Sequence, residues 1–465
     1  ELYAILDDFG ADFGAARRKY GVPSGEPVIG LDVRTSEKLR LAKRRLPERI
    51  TIRGVGALGR NDFFPTAGTQ VGDWSLRSAR NIRLMAIQFN GQSNGGPGNF
   101  IGATDCVITR NVFNMKAATS TRALAQPNEV KNGIYFYNSS GCTFSENAVV
   151  GANFQLINGQ QRATDGTSTR GLTIAWNVFD QVRGDHIRLQ GGINTNWYIH
   201  KNLFGGRFRN PGGDHSDCLQ VGAGQRTQFS NSFMEFNCCF VRQSYGRDNH
   251  APVQMWWFGR GSGSSDGHSF QQNGHFAPGR LINNKVPRQG VTLARSVAAY
   301  NTDMAPSDIP ASYSKGFYSA DFACFVYSGR ADFNLVTRKS RKTDRGAGPN
   351  GLNIECPRSA NSSKAPRNAW APQTEFLSCE LQRSVTIGCL KPPSPRVRSH
   401  WQNPRPVGAW QLMRDMFEPA APNHWKSRGW PIDAMCHIAY DPFNELAGTS
   451  GLYKAYDSRT GANLG

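Results

Sequence analysis

The sequence predicts an all-β protein, a right-handed parallel β-helix with an N-terminal cap and a small C-terminal module. Three observations predict this fold: an asparagine recurs inside a fixed apolar pattern, its copies follow at unequal intervals, and each copy has a further apolar segment nearby. Short strands that repeat with loops of unequal length are typical of solenoids. We therefore expect residues 50–310 to form the coil.

The recurring asparagines are Asn111, Asn147, Asn177 and Asn202, at intervals of 36, 30 and 25 residues. Apolar residues stand five before, three before and two after each asparagine: Cys106, Ile108 and Phe113; Cys142, Phe144 and Val149; Leu172, Ile174 and Phe179; Trp197, Ile199 and Phe204. Alternation on both sides predicts a strand, a bend and a strand. The weaker matches are Asn231, Asn284 and, with isoleucine in the asparagine position, Ile87.

These asparagines are expected to lie in one column along the coil. Asparagine tolerates the left-handed backbone angles of a tight bend. Its amide, stacked on the copies above and below, can also form a ladder of hydrogen bonds, as side chains do in cross-β structures. The alternative is that polar residues fall between the strands by chance.

Each repeat also carries a second apolar segment, so that every rung should contain two or three strands. The segments are residues 134–137, 154–157, 187–190, 218–221 and 253–256. The first rungs are expected at residues 50–56 and 81–89.

The open ends of such a coil need covers, because bare strand edges pair with other chains. We assign residues 1–49 to an N-terminal cap. Within it, residues 36–46 have the pattern of a basic amphipathic helix that begins at Ser36 and stops before Pro47. Binding of a membrane or nucleic acid is the alternative role for this segment.

The repeat fades after residue 310. Residues 311–400 are basic and rich in proline and serine, and we interpret them as a connecting region. Residues 401–465 are rich in aromatic residues and are interpreted as a C-terminal module. Aromatic residues are common in protein interfaces, so this part is expected to build a homo-oligomer, most plausibly a trimer.

Charge and cysteine content narrow the possible partners. The chain has 54 Lys and Arg against 35 Asp and Glu, a net charge of +19, which favours an anionic partner: nucleic acid, an acidic polysaccharide or an acidic protein. No apolar stretch is long enough to span a membrane. The ten cysteines are expected to be mostly reduced. One or two disulfides among Cys356, Cys379 and Cys389 are the alternative. No motif for a metal or a cofactor is present, so none is predicted.

The rung pattern resembles the right-handed parallel β-helix superfamily, which includes pectate-lyase-like enzymes, alginate epimerases and phage tailspikes. In addition, His215, Asp217 and Gln220 resemble the His-x-Asp-x-(Ile/Leu)-Gln signature of β-helix proteins from bacteria, marine phages and phage-like particles, and residues 290–301 resemble a late rung of them. The resemblance implies glycan-binding virion spikes or secreted polysaccharide-active enzymes, with nucleic acid an unexpected partner.

The candidate site combines acidic residues and imidazoles on two neighbouring rungs. Aligning Leu189 with Leu219 places Asp185 over His215, whereas matching the two Asp-His pairs places Asp185 over Asp214. The predicted members are Asp185, His186, Arg188, Asp214, His215, Asp217 and Gln220. Two close carboxylates could hydrolyse a glycoside, or Asp217 could act with Arg188 or His215 to abstract the proton beside a uronic carboxylate. The structural alternative is that these residues cap bends.

Two further groups could extend the binding surface. His200 and Lys201 precede Asn202 and are placed beside the acidic cluster, although a solvated pair is the alternative. Of Trp256 and Trp257, alternation turns one inward and one outward, and an outward tryptophan could stack on a sugar ring.

Three functions therefore remain open. The first is a phage-type virion spike, a receptor-binding tailspike that binds a host surface glycan, with or without cutting it, in concert with other tail or capsid proteins. The second is a secreted bacterial polysaccharide lyase, hydrolase or epimerase. The third is a non-enzymatic virion component in which the acidic cluster is structural. Localisation is accordingly expected on the virion, with secretion as the alternative.

Overall fold

The structure is a computed structural model of the 465-residue chain. It describes residues 1–55, 69–89, 98–114, 134–152, 155–160, 168–182, 185–204, 216–222, 227–240, 253–258, 264–276, 282–284, 293–294, 297–299, 302–303, 330–332, 335–336, 369–370, 412 and 415.

The described residues form two helices at the N-terminus followed by 36 short strands. The helices are α1 (Leu2–Ala11) and α2 (Phe13–Lys19). The strands are β1 (Val28–Leu31), β2 (Lys38–Arg40), β3 (Arg45–Gly54), β4 (Gln70–Val71), β5 (Asp73–Ser75), β6 (Arg80–Met85), β7 (Gln88–Phe89), β8 (Gly98–Ile101), β9 (Val107–Thr109), β10 (Val112–Asn114), β11 (Ile134–Tyr137), β12 (Thr143–Ser145), β13 (Ala148–Ala152), β14 (Gln155–Gln160), β15 (Ser168–Arg170), β16 (Thr173–Ala175), β17 (Val178–Val182), β18 (Asp185–Gln190), β19 (Gly192–Thr195), β20 (Tyr198–His200), β21 (Leu203–Phe204), β22 (Ser216–Val221), β23 (Thr227–Ser230), β24 (Phe233–Glu235), β25 (Cys238–Phe240), β26 (Val253–Phe258), β27 (Ser264–Asp266), β28 (Ser269–Gln271), β29 (Gly274–Phe276), β30 (Ile282–Asn284), β31 (Leu293–Ala294), β32 (Val297–Ala299), β33 (Thr302–Asp303), β34 (Arg330–Asp332), β35 (Leu335–Val336) and β36 (Ala369–Trp370).

The strands build four stacked parallel sheets, and β2 and β5 form a separate two-stranded parallel sheet near the N-terminus. Sheet 1 has the order β1-β3-β6-β9-β12-β16-β20-β24-β28-β32-β34, and sheet 2 has β4-β7-β10-β13-β17-β21-β25-β29-β33-β35-β36. Sheet 3 is β8-β11-β14-β18-β22-β26-β30, and sheet 4 is β15-β19-β23-β27-β31. From β14 to β33 the chain visits sheets 3, 4, 1 and 2 in turn, whereas the earlier rungs pass from sheet 3 directly to sheet 1. Each strand thus pairs with its counterpart one rung away. This order confirms the predicted all-β, parallel β-helix architecture.

The core is made of apolar columns that run through successive rungs. In sheet 1 the buried residues Ile108, Phe144, Ile174 and Ile199 are in register, and these are the residues three before each asparagine. In sheet 2 the residues two positions after each asparagine are likewise in register, and the Phe179 and Phe204 rings stack with their centroids 5.2 Å apart. Complete burial of such side chains stabilises the fold by about 1.5–3 kcal/mol each.

The predicted asparagine column is present. Main-chain amides of Asn111, Asn147 and Asn177 each donate to the side-chain oxygen of the next asparagine at 3.0 Å. The column continues to Asn237 and Asn273. The sequence analysis missed these two because polar residues occupy their first apolar slot: Ser232 and His268. Ile87 also holds the expected position, where its amide donates to Asn111.

Two expectations about the asparagines are corrected. The weaker matches do not belong to the column, since Asn231 is exposed at a different bend and Asn284 ends β30 in sheet 3. The left-handed residue of each bend is also not the asparagine but its predecessor, such as Glu146 (φ 55°) or Lys201 (φ 54°). The asparagine instead uses its amide to satisfy main-chain groups that a two-residue bend leaves without partners.

The N-terminal cap is helical, but the helices are not where the sequence predicted one. Residues 36–46 contain β2 and the start of β3, because Leu39 and Leu41 alternate toward the core with period two. The cover is formed by α1 and α2, which bury Leu6 and Phe9 and pack on β3. Arg44 forms an ion pair with Asp7 of this cap.

The C-terminal predictions concern segments that lie mostly outside the described residues. Of residues 401–465, the structure describes Leu412 and Asp415, and the Leu412 amide donates to the Gln272 side chain at 3.4 Å. Within the described part of the chain no helix is long and apolar enough to cross a membrane. The free cysteines among the described residues, in line with the prediction of reduced thiols, are Cys106, Cys142, Cys218, Cys238 and Cys239. Cys356, Cys379 and Cys389 lie outside the described residues.

Candidate functional site

Sheet 3 carries a column of polar and aromatic residues between two core columns. Arg188 pairs with Gln220, and Gln220 pairs with Trp257 on the next rung. The column continues in register with Asn158 on one side and Asn283 on the other. Buried residues flank Arg188 (Ile187 and Leu189) and Gln220 (Leu219 and Val221). Strand alternation therefore places Arg188 and Gln220 on the outer face of the coil.

Arg188 and Gln220 are the best-defined members of that column. Arg188 is half-buried and Gln220 is buried. The side-chain oxygen of Gln220 is enclosed and accepts no hydrogen bond in the described part of the chain. A buried carbonyl oxygen without a donor costs about 1–3 kcal/mol. If the Gln220 side chain turned toward solvent, this oxygen could accept a hydrogen bond from a ligand hydroxyl, and the neighbouring guanidinium could hold a carboxylate.

The register of the two acidic rungs differs from both predicted alignments. Leu189 pairs with Val221, not with Leu219, and Arg188 pairs with Gln220. This pairing brings Asp185 to Asp217, so it lies over neither His215 nor Asp214. The leucine alignment is two residues out, and a slip of two leaves the inward and outward faces unchanged, so the apolar pattern cannot detect it. The alignment of the two Asp-His pairs is three residues out and reverses the faces.

Asp185 and Asp217 are therefore neighbours on adjacent rungs, and both are buried. The main-chain amide of Asp217 donates to Oδ1 of Asp185 at 3.1 Å. The Asp185 carboxylate thus links two rungs. This is a structural role, the alternative to catalysis. The two aspartates stand on the same two strands as Arg188 and Gln220, β18 and β22.

His186 lies in the core and not on the outer face where the sequence placed it. Its ring approaches Phe204 at 5.3 Å and Phe179 at 6.1 Å between centroids, both edge-on. Three consecutive residues from Asp185 to Ile187 are buried, so alternation starts only after the beginning of β18. Cys218 occupies the equivalent position on β22, directly before Leu219, and is also buried.

The two tryptophans are now distinguished. Trp256 is buried and packs edge-on against Phe204 at 6.0 Å, which corrects its candidacy as a stacking surface. Trp257 pairs with Gln220 through the main chain and remains the candidate for stacking. Asp214 and His215 lie outside the described residues.

His200 and Lys201 do not extend the sheet 3 surface. His200 ends β20 in sheet 1, and Lys201 occupies the following bend, because the chain passes through β19 between β18 and β20. The Lys201 ammonium lies 4.8 Å from the Trp176 ring and 5.7 Å from the Phe236 ring. Its contacts are therefore with aromatic residues of neighbouring bends.

A second cluster, which the sequence analysis did not identify, lies on the outer face of sheet 1. Its defining residues are Tyr198, His200, Phe233 and Glu235, and we call it the sheet 1 patch. Tyr198 pairs with Phe233, and His200 pairs with Glu235. A signal was present in the sequence, since both Tyr-x-His and Phe-x-Glu start four residues before a column asparagine.

Among the described residues, no three His, Cys, Asp or Glu side chains gather as ligands for a metal ion.

No known family matches the chain, and no curated protein matches it. Solved structures do match it. A PL6 family alginate lyase, AlyGC, has a TM-score of 0.40 and 13% identity, covering 85% of this chain and 56% of the lyase. PfbA, a surface adhesin of Streptococcus pneumoniae, has a TM-score of 0.30 and 12% identity, and the match covers 57% of this chain and 77% of PfbA. A mutant tailspike of E. coli bacteriophage HK620 has a TM-score of 0.29 and 9% identity, and the match covers 69% of this chain and 57% of the tailspike. This chain therefore spans little more than half of the lyase, and the likeness carries no information about ligand or reaction.

Proposed function

We propose that this β-helix protein binds an acidic polysaccharide through the outer face of sheet 3, as a phage-type virion spike does on a host surface. The observation that carries the proposal is the pairing of Arg188 with Gln220, whose buried side-chain oxygen has no donor in the described part of the chain. A guanidinium beside an amide can hold a sugar carboxylate in a bidentate grip and accept a neighbouring hydroxyl.

Charge supports an acidic ligand. The net charge of +19 attracts polyanions over distances beyond direct contact and accelerates their encounter. Arg188 then supplies the local contact that distinguishes a uronic acid from a neutral sugar. Trp257, next in the same column, is the candidate for stacking on the following sugar ring.

Binding is tested by titrating the full-length protein with alginate and polygalacturonate, with dextran as the neutral polymer. Arg188→Ala is expected to weaken binding of the acidic polymers about tenfold or more, because hydrogen bonds to charged groups are worth about 1.5–3 kcal/mol. Arg53→Ala removes the same charge from an exposed position of sheet 1 and is the matched control. Equal losses in the two variants would reduce the effect to net charge and would refute the sheet 3 surface.

Depolymerisation of the bound glycan is the second candidate function. It is favoured by the presence of two buried acidic residues on adjacent rungs, Asp185 and Asp217, which the Asp217 main-chain amide joins. Two carboxyl groups in different surroundings can divide acid and base roles. The expected signature is the release of new reducing ends, for hydrolysis, or of an unsaturated uronic acid, for elimination. Asp217→Asn should then abolish release of product while Arg188-dependent binding persists.

Assembly is proposed as a homotrimer that joins other virion proteins, with secretion of the chain as the alternative to a place on the virion. The support is the aromatic composition of residues 401–465, together with the uneven loop lengths of the coil. Sedimentation analysis of the full chain tests it: a stable monomer of 51.2 kDa would contradict the trimer.

A further inference from the structure

The sheet 1 patch presents two aromatic rings to solvent. Tyr198 is 38% exposed and Phe233 is 47% exposed, and within the described residues after Val55 these are the exposed large apolar side chains. They stand on adjacent rungs with ring centroids 5.8 Å apart and planes at 73°. A further ring, His200, lies 4.1 Å from Tyr198 on the same strand.

A polar network borders these rings on the neighbouring rung. Gln271 donates to the hydroxyl of Ser269 at 2.8 Å, and Ser269 donates to Oε1 of Glu235 at 2.6 Å. This chain of hydrogen bonds fixes the glutamate beside the aromatic pair. Glu235 pairs with His200 in register, so the carboxyl group and the imidazole lie side by side.

The electrostatics agree with a carboxyl group set against an aromatic surface. Burial raises the pKa of Glu235, and the hydrogen bond from Ser269 opposes this shift. Burial also raises the pKa of the Tyr198 phenol, and the negative charge of Glu235 raises it further. The carboxylate is thus partly removed from water and still open on one side, which strengthens any hydrogen bond that a ligand hydroxyl donates to it.

We propose that the sheet 1 patch is a second carbohydrate site, which binds a neutral pyranose by stacking it on the Phe233 ring, with the steeply inclined Tyr198 ring as a side wall, while Glu235 accepts hydrogen bonds from its hydroxyls. The Phe233 ring matches the apolar face of a sugar, and the carboxylate matches its vicinal hydroxyls. A negative charge here disfavours a uronic acid, so the ligand differs in class from that of sheet 3.

The patch is suited to binding and not to cleavage. Glycoside hydrolysis by retaining or inverting chemistry uses two carboxyl groups that flank the bond. Within the described part of sheet 1, Glu235 is the carboxyl group at this patch, and Ser269 already donates to it.

The size of the patch also favours a sugar over a second protein chain. Two aromatic side chains offer about 300–500 Å² at most. A stable protein interface buries about 1,200–2,000 Å², and polar residues surround the rings on the adjacent strands. A single sugar ring or a short oligosaccharide fits this area.

The test titrates the full-length protein with three neutral oligosaccharides, cellohexaose, maltohexaose and mannohexaose, and follows binding by calorimetry and by ligand-observed NMR. At least one should bind, and Phe233→Ala and Glu235→Gln should each weaken that binding about tenfold. Thr143→Ala, on the outer face of the same sheet two rungs away, is the matched control and should change nothing. Circular dichroism melts verify that each variant is folded.

Two results would overturn the proposal. One is the absence of binding by all three oligosaccharides at millimolar concentration. The other is a change in oligomeric state on Phe233→Ala without any loss of sugar binding, which would make the patch a contact between copies of the chain. The site is independent of the sheet 3 surface: Arg188→Ala should leave neutral binding intact, and Phe233→Ala should leave binding of polygalacturonate intact.

Discussion

The main-chain amide and the side-chain Nδ2 of Asn177 both donate to Oδ1 of Asn202, each at 3.0 Å. Asn202 in turn donates through Nδ2 to the carbonyl oxygen of Ile174 at 2.7 Å and to Oδ1 of Asn237 at 3.0 Å. One buried amide thus joins three successive rungs. Because the column is closed to water, loss of any member leaves its partners without replacement.

Removal of a single ladder asparagine should therefore destabilise the whole coil. Asn202→Ala deprives two donors of Asn177 and the Ile174 carbonyl of their partner, and we expect the free energy of unfolding to fall by about 3 kcal/mol. Urea denaturation measures it. Gln228→Ala, at an exposed position of β23, should cost under about 0.5 kcal/mol. Similar costs for the two variants would contradict a stabilising ladder.

The bend residues that precede the asparagines add a second stack. Lys201 lies between the rings of Trp176 and Phe236. Lys201→Met retains an aliphatic chain and removes the ammonium, so it should lower the free energy of unfolding by about 1 kcal/mol through loss of the cation–π contacts. Urea denaturation checks this value, with Arg53→Met as the control for removal of a surface charge. An unchanged midpoint would show that the ammonium contributes nothing.

The rung pattern was predictable because geometry fixes it locally. From β6 and β7 onward the bend between sheets 1 and 2 has two residues, so each asparagine keeps the same distance from the core positions on both sides. The spacing that identified Asn111 to Asn202 is a consequence of this constant bend. Asn237 escaped only because Ser232 replaces an apolar residue in its segment.

The candidate site was predictable in composition but not in register. Residues between β21 and β22 are far more numerous than those between β17 and β18, so sequence distance does not set the pairing of β18 with β22. Leu189 and Leu219 then offer a false match that is two residues out and respects alternation. The core position of His186 follows from consecutive burial at the start of β18, which no periodic pattern expresses.

Buried thiols provide a third prediction. Burial raises the pKa of Cys218 and of Cys238, so little reactive thiolate forms at neutral pH. Both should resist a thiol reagent such as iodoacetamide in the native protein and react fully after denaturation. Peptide mass spectrometry locates the label. The sulfurs of Cys218 and Cys239 lie 2.6 Å apart, and labelling of either in the folded protein would contradict this closed core.

The last prediction concerns the pH dependence of stability at Glu235. Its pKa is raised by burial, so between the ordinary glutamate pKa and the raised value the folded state binds more protons than the unfolded state. This residue therefore favours folding at low pH, and its contribution is lost as pH rises through that window. Glu235→Gln should remove this slope and stabilise the protein at neutral pH. Thermal melts from pH about 4 to about 8 measure it, with Glu37→Gln at an exposed position as the control. A variant with the same slope as the parent would show that Glu235 is as well solvated in the fold as in the unfolded chain.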